Sequence, residues 1–327
     1  MIFARRTFMR LTAAAIGFPA VLPSYAHTQT YPSRPITMIV PFPPGGPVDV
    51  IARIISEPMK ASLGVPIIIE NVSGANGSIG VGRVARAAPD GYTLCIGLLS
   101  THVMNGALYS LPYDLPGSFE PVAPLVSTPV TLFARKTMPG RDLSELIAWL
   151  KANPDKANHA ATTAGIQAYG ALFQRETGTR FQAVPYRGEA PAAQDLVGGQ
   201  MDLLFGSANV FSQLRAGTVK AYVVLAKRRA PLAPDIPTAE ELGLPALALP
   251  AWYGMFAPKG TPKTIVGTLN QAVVDALTTG EARKRFADIG LELYPRDQQT
   301  PEALGEIVRR SADTWWPVIK AANIKAE

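Results

Sequence analysis

Cysteine is almost missing: Cys95 is the only one in 327 residues. No disulfide partner exists and no CxxC motif surrounds it, so it reads as core filler in the apolar run 92–98 rather than as a nucleophile, and stability must come from packing. Histidine is scarce too, with His27, His102 and His159 alone. The last two read as loop residues, surface or capping, and no general base has a visible partner. HExxH and GxSxG are absent. Charged residues make up 17% of the chain. Also missing is an apolar run able to cross a bilayer: residues 11–22 span about half of the ~20 residues required.

That short run belongs to a leader. Residues 4–10 read ARRTFMR, residues 11–22 are apolar, and Ser24-Tyr25-Ala26 fits a small-x-small cleavage site. The adjacent arginines Arg5 and Arg6 followed by x-Phe-Met-Arg read as a twin-arginine export signal over 1–26. No cysteine lies near the cut, so lipid attachment is not expected. Removal takes three basic residues and no acidic one, and the formal charge of +6 falls to +3. Nucleic acid is therefore not implied, while weak steering of small anions is. The roughly 300 residues left suffice for two domains.

The most informative stretch is 36–63, ITMIVPFPPGGPVDVIARIISEPMKASL. The apolar run 36–40 predicts a buried strand. The elbow PFPPGGP follows, stiff at its prolines and open at Gly45 and Gly46. A helix starts at Pro47, where a missing N–H costs nothing. Val48, Ile51, Ala52, Ile55, Met59 and Leu63 give it one apolar face. Pro58 predicts a kink or an early stop. Strand, glycine elbow and helix start aim unpaired N–H groups at a place where an anion could sit. The elbow is neither a P-loop nor GxGxxG.

Downstream the chain alternates. Residues 65–70 and 92–98 read as strands around a helix over 79–88, and 100–102 as a polar loop. Gly74, Gly77 and Gly80 suggest dinucleotide binding, but the next strand ends Leu98-Leu99-Ser100, without an acid for a ribose hydroxyl. Residues 109–127 are proline-rich and read as a connector. A second cycle follows: strand 129–134, helix 142–152, strand and loop 158–163, helix 165–177, strand 181–186, helix 190–197, strand 201–205 and polar loop 206–209. After a strand over 220–226 and a proline-rich link come a strand at 252–257 and helices over 263–277, 281–289 and 301–322. The repeated order predicts an α/β protein of two similar domains, with mixed or parallel sheets and flanking helices. Residues 27–126 plus 252–327 form the first domain and 127–251 the second. Two crossings make a two-strand hinge, the ligand cleft lies between the domains, and closure follows by rigid-body rotation.

The segments YPSRPITMIVPFPPGGPVDVIAR, VPIIIENVSGANGSIG, RVARAAPDGYTL, VPYRGEAPAAQDLVGGQMDLLF, PDIPTAEELGLP and WYGMFAPKGTP carry a resemblance. From Tyr31 to its C-terminus the chain resembles the periplasmic solute-binding proteins of tripartite tricarboxylate transporters, the Bug receptors. The resemblance implies a type II binding-protein fold and a monomer that needs no cofactor. It captures a small organic carboxylate in the periplasm and hands it to integral-membrane permease subunits. An exported cofactor-dependent enzyme and a receptor for a membrane sensor are the alternatives.

The resemblance also implies that backbone N–H groups of two facing loops clamp the carboxylate. The first loop is Phe42, Pro43, Pro44, Gly45, Gly46 and Asp49; the second is Thr162, Thr163, Ala164 and Gly165. The rim is Asn76, Gly77, Ser100, Thr101, Arg187 and Phe205. Asp49, near the third helical position, can accept from the loop's own N–H groups, and a carboxylate beside a bound carboxylate repels it; bracing is favoured over contact unless the ligand carries an amino group. Arg187 either forks onto a second carboxylate or is solvated. Two departures from the family pattern fall on the second domain: its loop is short and lacks a histidine, and Phe205-Gly206 replaces Phe-Asp.

Overall fold

A computed structural model describes residues 31–115, 117–186, 188–207 and 210–324. The leader over 1–26 and Arg187 lie outside them.

The chain builds two mixed sheets. The first contains β1 (Ile36–Val40), β2 (Ile67–Asn71), β3 (Thr93–Leu98), β4 (Phe119–Thr128), β10 (Ala251–Pro258) and β11 (Glu292–Leu293), in the order β2-β1-β3-β10-β4-β11. The second contains β5 (Thr131–Arg135), β6 (Asn158–Ala161), β7 (Gln182–Pro185), β8 (Leu203–Gly206) and β9 (Val219–Val224), in the order β7-β6-β8-β5-β9. In each, three parallel strands (β2-β1-β3 and β7-β6-β8) meet an antiparallel fourth, β10 or β5. The chain changes sheet between Thr128 and Thr131, and again between Val224 and Ala251.

Around the sheets lie α1 (Pro47–Leu63), α2 (Ser78–Ala85), α3 (Asn105–Leu108), α4 (Leu143–Ala152), α5 (Ala164–Thr177), α6 (Glu189–Gly198), α7 (Phe211–Arg215), α8 (Lys263–Thr278), α9 (Gly280–Asp288) and α10 (Pro301–Ala321). The apolar face of α1 (Val48, Ile51, Ala52, Ile55 and Met59) is buried with Met38 and Val40 of β1 and Leu269 and Val273 of α8. Each such large side chain contributes roughly 1.5–3 kcal/mol by leaving water. One of the core clusters spans both sheets, joining Cys95, Val103 and Trp315 to Leu132 and Leu203 of the second sheet and Phe173 of α5. Burial raises the Cys95 thiol far above its ordinary range, so it stays protonated.

The structure corrects several expectations. The supposed connector holds β4, a ten-residue strand. Its prolines hid it, yet Pro121 and Pro124 pair with Phe256 and Gly254 beside register shifts, where a missing N–H is tolerated. The early stop at Pro58 does not occur, since α1 continues to Leu63 and ends at Gly64. Residues 100–104 form a π-helical turn running into α3 rather than a polar loop. His102 and His159 are buried, not surface residues: His102 stacks on Phe256 with ring centroids 4.1 Å apart, and His159 sits on β6 against Phe205.

Candidate functional site

With strand orders 2-1-3 and 7-6-8, each sheet opens a crevice at the carboxyl ends of neighbouring parallel strands, where the order of connection reverses. Four segments stand there: 41–46 after β1, 99–104 after β3, 162–163 after β6, and Ser207 after β8.

In the first loop, Gly45 has φ +80°, a left-handed conformation that glycine adopts without Cβ strain. Gly46 is the N-cap of α1, with φ −76° and no side-chain cap, followed by Pro47. The first-turn N–H groups of Val48 and Asp49 precede the first possible intrahelical bond, made by Val50 to the Gly46 carbonyl. Asp49 is buried and both its oxygens are engaged. Oδ2 accepts from the Gly45 N–H at 2.9 Å and from Arg53 Nε at 2.8 Å, and Oδ1 accepts from Asn71 Nδ2 at 3.0 Å. The Arg53 guanidinium above all, with the Gly45 and Asn71 donors, holds its carboxyl at about 2 despite burial. Asn71 also donates to the Phe42 carbonyl at 3.0 Å, so strand end, elbow and helix start form one hydrogen-bonded unit. Pro43 and Pro44 are exposed at its tip.

The rim residues of the first sheet interlock. Asn76 donates to Asn105 Oδ1 at 3.1 Å, and the fully buried Asn105 donates to the Asn76 carbonyl and to Ser78 Oγ, both at 3.0 Å. Gly77, at φ +85°, lies so close to Thr101 that an added Cβ would come within 2.7 Å of its methyl. Thr101 itself is fully buried, its hydroxyl accepting from Leu98 N–H at 3.2 Å and bonded to His102 Nδ1 at 3.0 Å. It therefore supports the rim from behind rather than facing the cleft. Burial lowers the His102 imidazole to about 3 and His159 to about 4, which keeps both neutral.

In the second sheet, Thr163 caps α5 by accepting from Ile166 N–H at 3.1 Å, leaving the Ala164 and Gly165 N–H groups ahead of the first intrahelical bond, from Gln167 to the Thr163 carbonyl. Thr162, half-buried, precedes this cap. Phe205, expected at the rim, has its side chain in the core. It is the penultimate residue of β8, its side chain has no exposed surface, and it packs on Phe173, Phe181 and His159.

The loops meet in two cavities. One, of about 120 Å³, places Ser100 and Met104 opposite Thr163, Gly165 and Ile166. The other, of about 350 Å³, places Gly45 and Pro47 opposite Ser207. The elbow thus faces the loop after β8, and the α5 start faces the loop after β3. Tyr253 of β10 lines both cavities. Neither Tyr253 nor Ser207 was expected from the sequence. The polar loop after a strand was the signal for Ser207, which is held by Glu189 at the start of α6: Ser207 N–H and Oγ donate to it at 2.6 and 2.8 Å. Among the described residues, no group of three or more His, Cys, Asp and Glu side chains could hold a metal, and no helix is long and apolar enough to cross a membrane.

Residues 51–324 match the family model described as tripartite tricarboxylate transporter family receptor. The chain belongs to that family. BugT of Bordetella pertussis is 36% identical over 302 residues, 90% of this chain and 91% of that protein. Among solved structures, MatC from Rhodopseudomonas palustris with bound malate is 42% identical with a TM-score of 0.73, covering 88% of this chain and all of that one. A second R. palustris protein, solved with adipate, is 31% identical with a TM-score of 0.74, covering 90% of this chain and 99% of that one. The two-sheet α/β architecture is thus that of periplasmic solute receptors of tripartite tricarboxylate transporters.

Proposed function

We propose that this receptor captures a small organic carboxylate between the two sheets and delivers it to integral-membrane permease subunits. The observation that carries the reading is the pairing of loops: the helix starts of α1 and α5, each with first-turn N–H groups lacking intrahelical partners, open into cavities that share Tyr253. Helix N-termini favour anions, and each charge-assisted hydrogen bond contributes roughly 1.5–3 kcal/mol before desolvation and ordering costs. The malate and adipate bound by two relatives support a carboxylate here.

The contacts are backbone N–H groups at the start of α1 (Gly46 and Val48) and of Ala164 and Gly165, with Pro43, Pro44 and Gly45 shaping the elbow, Ser100 and Thr163 at the edge and Arg187 as a candidate for a second acid group. Asp49 braces the elbow without touching the ligand. The lobes 27–126 plus 252–327 and 127–251 rotate together on loading. The mature protein follows twin-arginine export and removal of 1–26, works as a monomer in the periplasm, and needs neither cofactor nor catalysis.

Native mass spectrometry of the purified protein, followed by thermal-shift measurements with a carboxylate panel, tests this. Retention of an organic acid, and a melting temperature raised by that acid, are expected. A chromophoric cofactor in the absorbance spectrum, turnover of the acid, or indifference to every carboxylate would overturn it.

A further inference from the structure

Behind the rim of the first sheet lies another cavity, of about 170 Å³, enclosed by His102 of the π-helical turn, Phe119 and Pro121 of β4, Phe256 of β10, and Gly305 and Val308 of α10. His102, Phe119, Phe256 and Val308 are buried, while Pro121 and Gly305 are half-buried and form its mouth. Gly305 stands inside a 21-residue helix, where glycine is less favourable than alanine. Yet an added Cβ there would meet only Pro121 Cγ at 3.6 Å, an ordinary contact. Packing does not demand glycine at this position; the missing side chain leaves the mouth open.

The second observation is His102, which is 2% exposed. Its Nδ1 is bonded to Thr101 Oγ at 3.0 Å and one face stacks on Phe256. The Nδ1–Cε1 edge abuts Gly97, where an added Cβ would come within 2.4 Å. The edge left for the cavity carries Nε2, which is buried and has no hydrogen-bond partner among the described residues. Such a group is costly to leave unpaired. Water repairs it poorly, because a buried water needs about two to four polar partners and only the imidazole among the lining side chains is polar.

The fitting occupant is therefore apolar over most of its surface and polar at one atom. An apolar cavity of about 150 Å³ takes up benzene, so a single ring matches the volume here. A hydroxyl suits Nε2 in either tautomer, since it both donates and accepts. A carboxylate does not: burial keeps His102 neutral, and no other lining side chain can carry charge. We propose that this cavity is a second ligand site, separate from the cleft between the sheets, taking a small neutral ring that bears one hydroxyl group bonded to His102 Nε2. The inference is independent of the carboxylate reading.

Isothermal titration of the mature protein, of Gly305→Met and of His102→Leu with phenol, toluene and benzoate at pH 7 tests it. Phenol should bind the unaltered protein once per chain. Gly305→Met places a flexible side chain in the mouth and should weaken phenol and toluene tenfold or more, with the melting temperature kept or raised. His102→Leu should lower the phenol-to-toluene affinity ratio about tenfold, the worth of one hydrogen bond; the ratio cancels what removal of His102 does to the cavity as a whole. Benzoate that binds belongs to the cleft, and its affinity should be blind to Gly305→Met. In the unaltered protein phenol should also shift the His102 Nε2 resonance in nitrogen NMR, which does not depend on any variant folding. Absence of phenol binding, phenol affinity indifferent to Gly305→Met, an unshifted Nε2 resonance, or an unchanged ratio in folded His102→Leu would each overturn the proposal. Benzoate weakened by Gly305→Met as phenol is would overturn it too, because the site would then accept an anion.

Discussion

The Asp49 carboxylate accepts the backbone N–H of Gly45 at 2.9 Å, so the first turn of α1 holds the loop that precedes it. The same carboxylate takes Arg53 and Asn71, and its folded-state ionisation, about 2, lies below the ordinary 3.8. A depressed carboxyl contributes stability that is present above its unfolded value and lost as pH falls through the folded one. The contribution should be complete above about pH 5, decline below it and vanish near pH 2, amounting to roughly 2 kcal/mol at neutral pH. Asp49→Asn should lose about that much in urea unfolding at pH 7, and the difference from the unaltered protein should shrink as pH approaches 2. A constant difference across that range would show that the Asp49 ionisation is not what holds the elbow.

Adjacent glycines in that elbow should answer differently to substitution. Gly45 has φ +80° and nothing within 4 Å of an added Cβ, so Gly45→Ala meets only backbone strain, about 1–2 kcal/mol. Gly46 has φ −76°, and its nearest atom to an added Cβ is the Pro43 carbonyl oxygen at 3.5 Å. Gly46→Ala should therefore leave the melting temperature nearly unchanged. Gly46→Leu should fold as well, yet abolish ligand capture, because its side chain occupies the mouth of the α1 N-terminus. Unimpaired carboxylate binding by Gly46→Leu would remove the elbow from the site.

Much of this site was legible because its signals are local. The run 36–40, the prolines and glycines of 41–47 and the apolar spacing of α1 each follow from near neighbours in the chain. The repeated strand-loop-helix order also predicts two similar sheets, mixed or parallel. What stayed hidden depends on partners distant in sequence. Pro121 and Pro124 argued against a strand until β10 supplied a bulged partner. Phe205 reads as a rim residue because it stands near the end of a strand next to a polar loop, but β8 is buried on both faces and Phe173, Phe181 and His159 enclose its ring. Tyr253 sits within an apolar strand motif, and no local pattern tells that its register opens it to both cavities. Histidines 102 and 159 read as loop residues for a related reason: they stand beside polar neighbours in sequence, whereas aromatic side chains distant in the chain enclose them.

Those two histidines predict a second pH dependence, at milder acidity. Burial lowers both, to about 3 for His102 and about 4 for His159, whereas an unfolded histidine titrates near 6.5. The unfolded chain therefore binds protons before the folded one does, and stability falls as pH drops below about 6.5. The slope should approach two protons, roughly 2.7 kcal/mol per pH unit, between pH 6 and 4 before other groups contribute. His102→Leu and His159→Leu should each reduce that slope by about one proton in unfolding free energies measured across the range. A slope untouched by either substitution would place the acid sensitivity elsewhere.

Helix α10 joins α5 to the π-helical turn after β3 through consecutive tryptophans. Trp315 meets Tyr169 of α5 edge-on, ring centroids 4.6 Å apart, while Trp316 Nε1–H donates to the Val103 carbonyl of the π-helical turn at 2.8 Å. Trp315 is buried in the core that spans both sheets, so Trp315→Ala should cost about 3–5 kcal/mol of stability. Trp316 is only partly buried, and Trp316→Phe removes one hydrogen bond, about 1 kcal/mol. That bond positions the segment beginning at Ser100, which faces Thr163 across the smaller cavity. Trp316→Phe should therefore weaken ligand binding by several-fold while lowering the melting temperature only slightly, whereas Tyr169→Phe, which loses the bond to the Leu249 carbonyl, should act on α5 from the other side. Calorimetric affinities and thermal melts of the two conservative variants separate ledge positioning from bulk stability. If affinity in Trp316→Phe falls only in proportion to the fraction unfolded, the helix serves packing alone.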